Sequence, residues 1–559
     1  TGIFNAPTSV GSCSITGELS SYAFRISGGG TLNNNTGTIT FLNVNSRLMM
    51  NGTGNIYNLT LNHASCFIML HSDGTTTIEG NLTITAGQLT TYMEGTTTSK
   101  DLTVTGTTSI SGTLTCNDSD ITLGTGKTDG WALSIGTTGT FTGGGGTHII
   151  GSISTTAWGS PSITLSSGAT TINSKYISNG YSINCAAGTT FAHGGGSVIM
   201  TYAGSTLIQF SGGTLAFNDF EYNASGHTLT LESPISCAGD LYANAGTIDT
   251  KSAENNAITV TGQLKVNGAN GILTGQLSAI EVRNVLINSG GTFTHNGVLT
   301  ITGKSTDNDY AFEGAGTWTP SSSQRTTFTG AAGTYHVKSN DWNAITIVAN
   351  AAAFYFFRPK SGTGITWNTY ITLTTGNMQQ NALGDSWAVG GTLRIDSGIV
   401  GLSTPATGSL TFGAITINGG TFNAPNAACT VTGNVSNYGT LTLNASTFSA
   451  AFLRNYSTGV VPASTGEHTF TDALRNDNSY TFTNGNTLLT GRGVGNSGYV
   501  LDDQGSTMDY NGGTINIGNG TDIGGNTNIR PQASHDLNDL IINCTNSRKV
   551  ILATACDIA

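Results

Sequence analysis

The sequence predicts an all-β chain wound as a parallel β-solenoid, or β-helix. Three observations carry this: a long template is written more than once, apolar residues alternate with Thr, Ser and Asn in runs of four to six, and Gly or Asn ends each run. The stretches 22–91 and 181–250 follow one template with no net insertion. Tyr22-Ala23-Phe24 answers Tyr181-Ser182-Ile183, and Asn81-Leu82-Thr83-Ile84-Thr85-Ala86-Gly87-Gln88-Leu89 answers Asp240-Leu241-Tyr242-Ala243-Asn244-Ala245-Gly246-Thr247-Ile248. Self-similarity of this length marks a stacked, quasi-one-dimensional architecture.

In chain order, a partial repeat over 1–21 precedes repeat units at 22–180, 181–309 and 310–498, and a truncated unit occupies 499–559. All are read as one continuous solenoid. The third copy opens at Tyr310-Ala311-Phe312 and the fourth at Tyr499-Val500-Leu501. Gly2-Ile3-Phe4-Asn5-Ala6-Pro7 recurs as Gly420-Thr421-Phe422-Asn423-Ala424-Pro425. The chain therefore starts and stops inside its template, and the expectation is a segment of a longer array or a processed product.

Within each copy the alternation sets the faces. In Asn58-Leu59-Thr60-Leu61-Asn62, strand geometry sends Leu59 and Leu61 to one side and the polar residues to the other. Two or three such strands make a coil of roughly twenty to thirty residues, which cannot bury its inner face alone. Stacking builds columns of Leu, Ile, Val and Phe and pairs strand backbones at ~4.8 Å, so roughly 25 coils would rise ~120 Å. Gly belongs at corners with positive φ, and Asn there tolerates the left-handed region and can stack its amide in ladders. The aromatic residues that head the recurring aromatic–small–apolar pattern, Tyr22, Trp131, Tyr181, Tyr310 and Tyr499, are expected to stack and fix register between coils. Tandem β-sandwiches are the alternative, since they also read as many short strands. The close register of the two copies, without linkers, argues against them.

Composition narrows the function classes. There are 78 Gly and 9 Pro in 559 residues, and charged residues are only 9%, far below the ~25% of ordinary globular chains. The net charge is −11 with no Lys/Arg cluster, which excludes a phosphate-neutralising nucleic-acid face and a polybasic membrane patch. No transmembrane run is present, so no membrane insertion is expected of this segment. A weakly acidic surface rich in hydroxyls and amides suits an extracellular setting. The cysteines (Cys13, Cys66, Cys116, Cys185, Cys237, Cys429, Cys544 and Cys556) lack zinc or redox spacing. They read as small core residues, with Cys544–Cys556 the pair best placed for a disulfide.

The pattern Asn-Leu-Thr-Leu-Asn at 58–62, followed by Gly80-Asn81-Leu82-Thr83-Ile84-Thr85-Ala86-Gly87-Gln88-Leu89 and Gly-Thr-Phe-Thr corners, resembles the Gly/Thr/Asn-rich β-solenoid repeats of bacterial surface adhesins and autotransporter-like proteins. It is also similar to repeats of phage tail fibres and other virion appendages. The resemblance covers most of the chain and speaks to architecture. It implies location at a cell or virion surface, and it carries no catalytic residue across.

Four places in the sequence could carry chemistry. Carboxylate pairs serve polysaccharide-cleaving β-helices, and the candidates are Asp307, Asp309 and Glu313, then Asp502 with Asp503, then Asp385 with Asp396. The first group sits where Ser20-Ser21 and Asn179-Gly180 stand in other copies, a specialisation that also suits a solvated turn. His193 and His295 share a Phe-x-His context, which points to a structural slot. Gly143-Gly144-Gly145-Gly146 lacks the Lys-Ser/Thr of a phosphate loop and reads as a flexible corner. Phe354-Tyr355-Phe356-Phe357 breaks the alternation, placing rings on both faces of a strand; with Trp367 nearby it is the best candidate for a sugar or partner site.

The reading is a non-catalytic structural or adhesive rod that continues head to tail through further repeats or copies of itself, with cell-surface glycans as the other partner and no cofactor or metal. The alternative is a tailspike-like enzyme that binds or degrades polysaccharide. Ice binding through flat Thr arrays such as Thr83/Thr85 or Thr372/Thr374 requires Thr-x-Thr on every coil, and the repeats vary too much for it.

Overall fold

Short alternating runs with Gly or Asn at their ends leave the chain one economical solution: three brief strands per coil, corners between them, and the next coil laid on top. The computed structural model shows this arrangement. It describes residues 2–8, 11–17, 22–92, 98–156, 159–360, 362, 364–380, 384–401, 407–505, 507–518, 525–532, 537, 539–544 and 549–553. Among these are 59 strands and one 3₁₀ turn, Val494–Asn496. No helix is long and apolar enough to cross a membrane.

The coils are plain in the first repeat. Leu102–Val104, Thr108–Ile110 and Thr113–Thr115 form one coil, and Ile121–Leu123, Leu133–Ile135 and Thr140–Thr142 the next, each strand pairing in parallel with its counterpart. The stack continues through His148–Ile150, Ile153–Thr155 and Ser162–Thr164 in the same three columns. Leu102, Ile121 and His148 are successive partners, so each coil takes about twenty to thirty residues, a solenoid-sized repeat. Parallel pairing throughout such columns rules out the sandwich alternative, which needs antiparallel hairpins. An isolated antiparallel bridge joins Tyr92 and Ser99.

Inward positions are apolar and buried at a period of two: Leu59, Leu61, Leu82, Ile84, Leu102, Val104, Ile121 and Leu123 have essentially no exposure. The chain packs as two compact units, Thr1–Val282 with Ile287–His295, and Arg283–Leu286 with Asn296–Ala559. Both are built from the same stacked parallel coils.

The two written copies are copies in three dimensions as well. Asn58–Leu70 and Asp219–Leu231 are both 13 residues long, and Leu82–Thr90 and Leu241–Asp249 both 9. Their registers shift at the same places, around Asn62 in one and Asn223 in the other. Each template start carries a β-bulge at its second residue: between Tyr22 and Phe24, Tyr181 and Ile183, Tyr310 and Phe312, and Tyr499 and Leu501. A bulge re-aims the residue before it, which corrects the expectation for the heading aromatics. They do not stack on one another. Arg25 and Arg47 lie 5.0 and 5.9 Å from the Tyr22 ring, Arg358 lies 4.8 Å from Tyr310, and Arg530 lies 4.3 Å from Tyr499. The ring before the bulge is thus turned outward, and in three of the four copies it is capped by a cation. Trp131 instead tilts against Tyr176 at 5.3 Å.

Asn corners do form amide ladders. In the second unit Asn437 donates to Asn455 (2.8 Å), Asn455 to Asn476 (2.9 Å) and Asn476 to Asp503 (3.2 Å), all four buried. Each amide satisfies the next rung, which is what a buried polar column requires. The glycine run at 143–146 is a tight corner and not a loose one. Gly144 has φ +73°, and a Cβ there would sit 1.4 Å from the Asn117 carbonyl oxygen, so no other residue fits.

Candidate functional site

The aromatic block keeps the strand alternation that the sequence seemed to break. In the strand Ala353–Arg358, Ala353, Tyr355 and Phe357 point inward and are buried, while Phe354, Phe356 and Arg358 stand half-buried on the outer face. Phe357 is surrounded by Phe328 (6.0 Å), Trp342 (6.5 Å), Trp367 (5.8 Å) and Trp387 (6.4 Å), mostly edge to face. The Tyr355 ring stacks on Tyr335 at 4.7 Å, and its hydroxyl oxygen accepts a bond from the Gly330 amide at 2.8 Å. Tyr355, Phe357 and Trp367 therefore offer nothing to a ligand: they are the core of the second unit, and the proposed sticky patch reduces to Phe354 and Phe356. The physical reason is the strand alternation, which sends every second ring inward, where it packs against the inward rings of neighbouring coils.

The acidic candidates are dispersed by their partners. Asp309 takes positive φ (+60°) in the turn and pairs with Lys304 at 2.6 Å; that ammonium holds its carboxyl below the usual range. Glu313 faces Lys338 at 3.5 Å, and Asp307 stays in the turn, accepting from Thr306 at 3.2 Å. Asp396 is bound by Arg394 and Asn418, both at 2.7 Å. Asp385 is buried elsewhere on its own turn. Asp502 is fully buried and receives both Nε (2.7 Å) and Nη2 (2.8 Å) of Arg530. Its neighbour Asp503 ends the amide ladder. Among the described residues no three His, Cys, Asp or Glu side chains come together to hold a metal ion.

Most of the described cysteines and three of the histidines are core groups. Cys66, Cys116, Cys185, Cys237 and Cys429 are buried free thiols, Cys13 is a half-buried free thiol, and Cys544 is half-buried; Cys556, the expected disulfide partner of Cys544, lies outside the described residues. Burial pushes the Cys185 and Cys429 thiols up to about 12, which makes them unreactive. His295 is buried against Phe293, whereas His193 is half-buried and accepts from the Gly195 amide at 3.0 Å.

His148 and His468, which the sequence did not single out, are fully buried, one in each unit. Burial draws His148 down to about 4, with the Gly143 backbone offsetting part of the shift, and burial draws His468 to about 4 as well. The unfolded chain therefore takes up these protons first. Stability is full above about pH 6.5 and falls as pH drops toward 4, by about 3 kcal/mol per histidine. Urea midpoints should decline over that window and level off above it. His148→Leu should flatten the decline of the first unit and His468→Leu that of the second.

The outward faces hold what sequence reasoning missed. Ser14, Thr40, Thr60, Thr83, Ser109, Ser134 and Ser154 are successive register partners, a column of hydroxyls on seven consecutive coils of the first unit, of which all but Ser154 are exposed or half-exposed. Thr-x-Thr does not repeat, but Ser and Thr interchange within the column. The only available signal was the pairing of runs across coils of unequal length. Comparison with protein-family models, with curated proteins and with solved structures found no match.

Proposed function

We propose that this chain is a non-catalytic structural and adhesive element of an extracellular fibre, at a cell or virion surface, whose coils continue end to end. The observation that carries the reading is the coil formed by Asp539–Ile542 and Val550–Leu552. By register Ile542 continues the Ile517 column and Leu552 the Ile529 column. Ile517 and Ile529 are fully buried, yet Ile542 is 52% and Leu552 47% exposed. Among the described residues no further strand pairs with these two, and core positions of a parallel stack left open are a surface that a further coil of the same kind would cover. The carboxylates support the non-catalytic side, since Asp309, Glu313, Asp396 and Asp502 are each tied to Lys or Arg and Asp503 to an Asn amide. The hydroxyl-rich, weakly charged exterior supports a location outside the cell and glycans as the surface partner.

The test is association. Sedimentation velocity over a wide concentration range should show species that lengthen with concentration, and Ile542→Glu combined with Leu552→Glu should abolish them while the circular dichroism of the fold stays intact. A wild-type chain that remains monomeric throughout would overturn end-on stacking between copies.

A further inference from the structure

Beside the hydroxyl column, a shallow groove of about 460 Å³ crosses four successive coils at the corner after Ile84. Thr85, Gln88, Ser111, Thr113 and Thr138 line it with hydroxyls and one amide, and Ala86, Gly87 and Gly112 form its floor. Among the described residues no charged side chain lines it. The adjoining face is equally neutral: the seven-coil hydroxyl column runs next to a second column of Thr38, Asn58, Asn81 and Thr107, in which the Asn58 and Asn81 side-chain oxygens accept the amides of the following coil (2.9 and 2.8 Å).

The second copy of the template shows that the fold does not require this surface. Gly87 and Gly246 hold the same corner, with φ +85° and +81°, and each packs against carbonyl oxygens of the long neighbouring strand. In the second copy, however, the corner is closed by Asn244, Asn267 and Asn288, each amide donating to the one before. The counterpart of Thr60, Thr83 and Ser109 is Glu221, Tyr242 and Lys265, with the Tyr242 hydroxyl donating to Asp240 (2.8 Å) and Lys265 over the Tyr242 ring (5.7 Å). One scaffold thus carries a charged, filled corner in one copy and a neutral, open one in the other.

We infer that the open face of the first copy binds an extended, uncharged polysaccharide laid along the coil axis. The inference rests on the surface-fibre reading above and gives it a site. A sugar unit in an extended chain advances by close to one coil spacing (~4.8 Å), so successive sugars meet successive rungs. Hydroxyls and the Gln88 amide both donate and accept, as sugar hydroxyls do. The Ala-Gly floor and threonine methyls take the C–H faces of the rings. Because no carboxylate lines the groove, bound polymer is held without cleavage, and because no cation does, a polyanion gains nothing there.

The test uses the full chain in affinity electrophoresis and calorimetry against β-1,3-glucan, mannan and xyloglucan, with polygalacturonate as the anionic control. Wild type should bind at least one neutral polymer and not the polyanion. Thr85→Asn with Ser111→Asn imports the second copy's fill and should weaken binding at least tenfold at unchanged melting temperature. Thr138→Trp, an exposed position at the groove's edge, should do the same should the double variant misfold. Asn244→Thr with Asn267→Ser should leave binding unchanged. Three results overturn the inference: no neutral polymer binds, the groove variants bind as well as wild type, or the variants lose thermal hysteresis and no glycan affinity, which assigns the face to ice. If end-on association persists in any of these cases, the fibre reading survives and only the groove falls; if association fails as well, both fall.

Discussion

Phe357→Ala should destabilise the second unit by about 3–5 kcal/mol, the usual loss for an aromatic side chain deleted from a packed core. In calorimetry this appears as a fall of roughly 10 °C or more in the transition of a unit this size, while the transition of the first unit, Thr1–Val282 with Ile287–His295, stays in place. The effect is large because Phe357 sits among four rings from neighbouring coils. Removing it leaves a cavity that the flanking coils, tied by their own hydrogen bonds, cannot collapse to fill. Phe354→Ser or Phe356→Ser should cost less than about 1.5 kcal/mol, because those rings are half-buried on the outer face. Equal losses at all three positions would mean that the outer rings are covered as well, and would restore the block as an interface.

Asp502→Asn should cost about 2–4 kcal/mol. Its carboxylate is 1% exposed and accepts two bonds from Arg530, with a longer contact to Arg475 at 3.8 Å. Removing one charge from a buried pair leaves the other uncompensated. The lower part of that range is expected, because the Arg530 side chain is 32% exposed and keeps the Tyr499 ring beneath it. Replacing both partners, Asp502→Leu with Arg530→Leu, should recover much of the loss in urea titrations, and a double-mutant cycle should give a coupling well above that of a surface pair. A coupling below about 0.5 kcal/mol would show that Arg530 is held by Tyr499 alone. Asp502 carries this weight because its column holds Arg454, Arg475, Asp502 and Arg530 on consecutive coils. It is the one anion in a line of cations, with Asp477 bridging Arg454 and Arg475 from the side (2.8 and 2.7 Å).

Much of the fold was legible because it is local. Leu59, Leu61, Leu82 and Ile84 alternate with polar residues, and strand geometry alone turns that alternation into an inner and an outer face. The template at 22–91 and 181–250 fixed the stacking, and Asn at the corners foretold the amide ladders. Even the aromatic run at 354–357 obeys the alternation; it misled because four rings in sequence look exposed until the rings of neighbouring coils that cover Tyr355 and Phe357 are known. The candidate acids misled for a related reason. Asp502 and Asp503 are adjacent in sequence, but one pairs outward with Arg530 and the other ends an inner ladder at Asn476.

The sequence by itself determined that this chain coils, which residues face inward along each strand, and where glycine and asparagine turn the corners. Which residues meet from one coil to the next depends on the tertiary structure: cations over three of the four bulge tyrosines, Arg530 on Asp502, the hydroxyl column from Ser14 to Ser154, and the open groove in one copy where the other is filled. The reason is physical. Facing along a strand repeats every two residues and is set by the backbone, whereas neighbours across coils depend on coil length. That length changes at nearly every turn as corners gain or lose residues, so the pairing emerges only when the whole stack is closed.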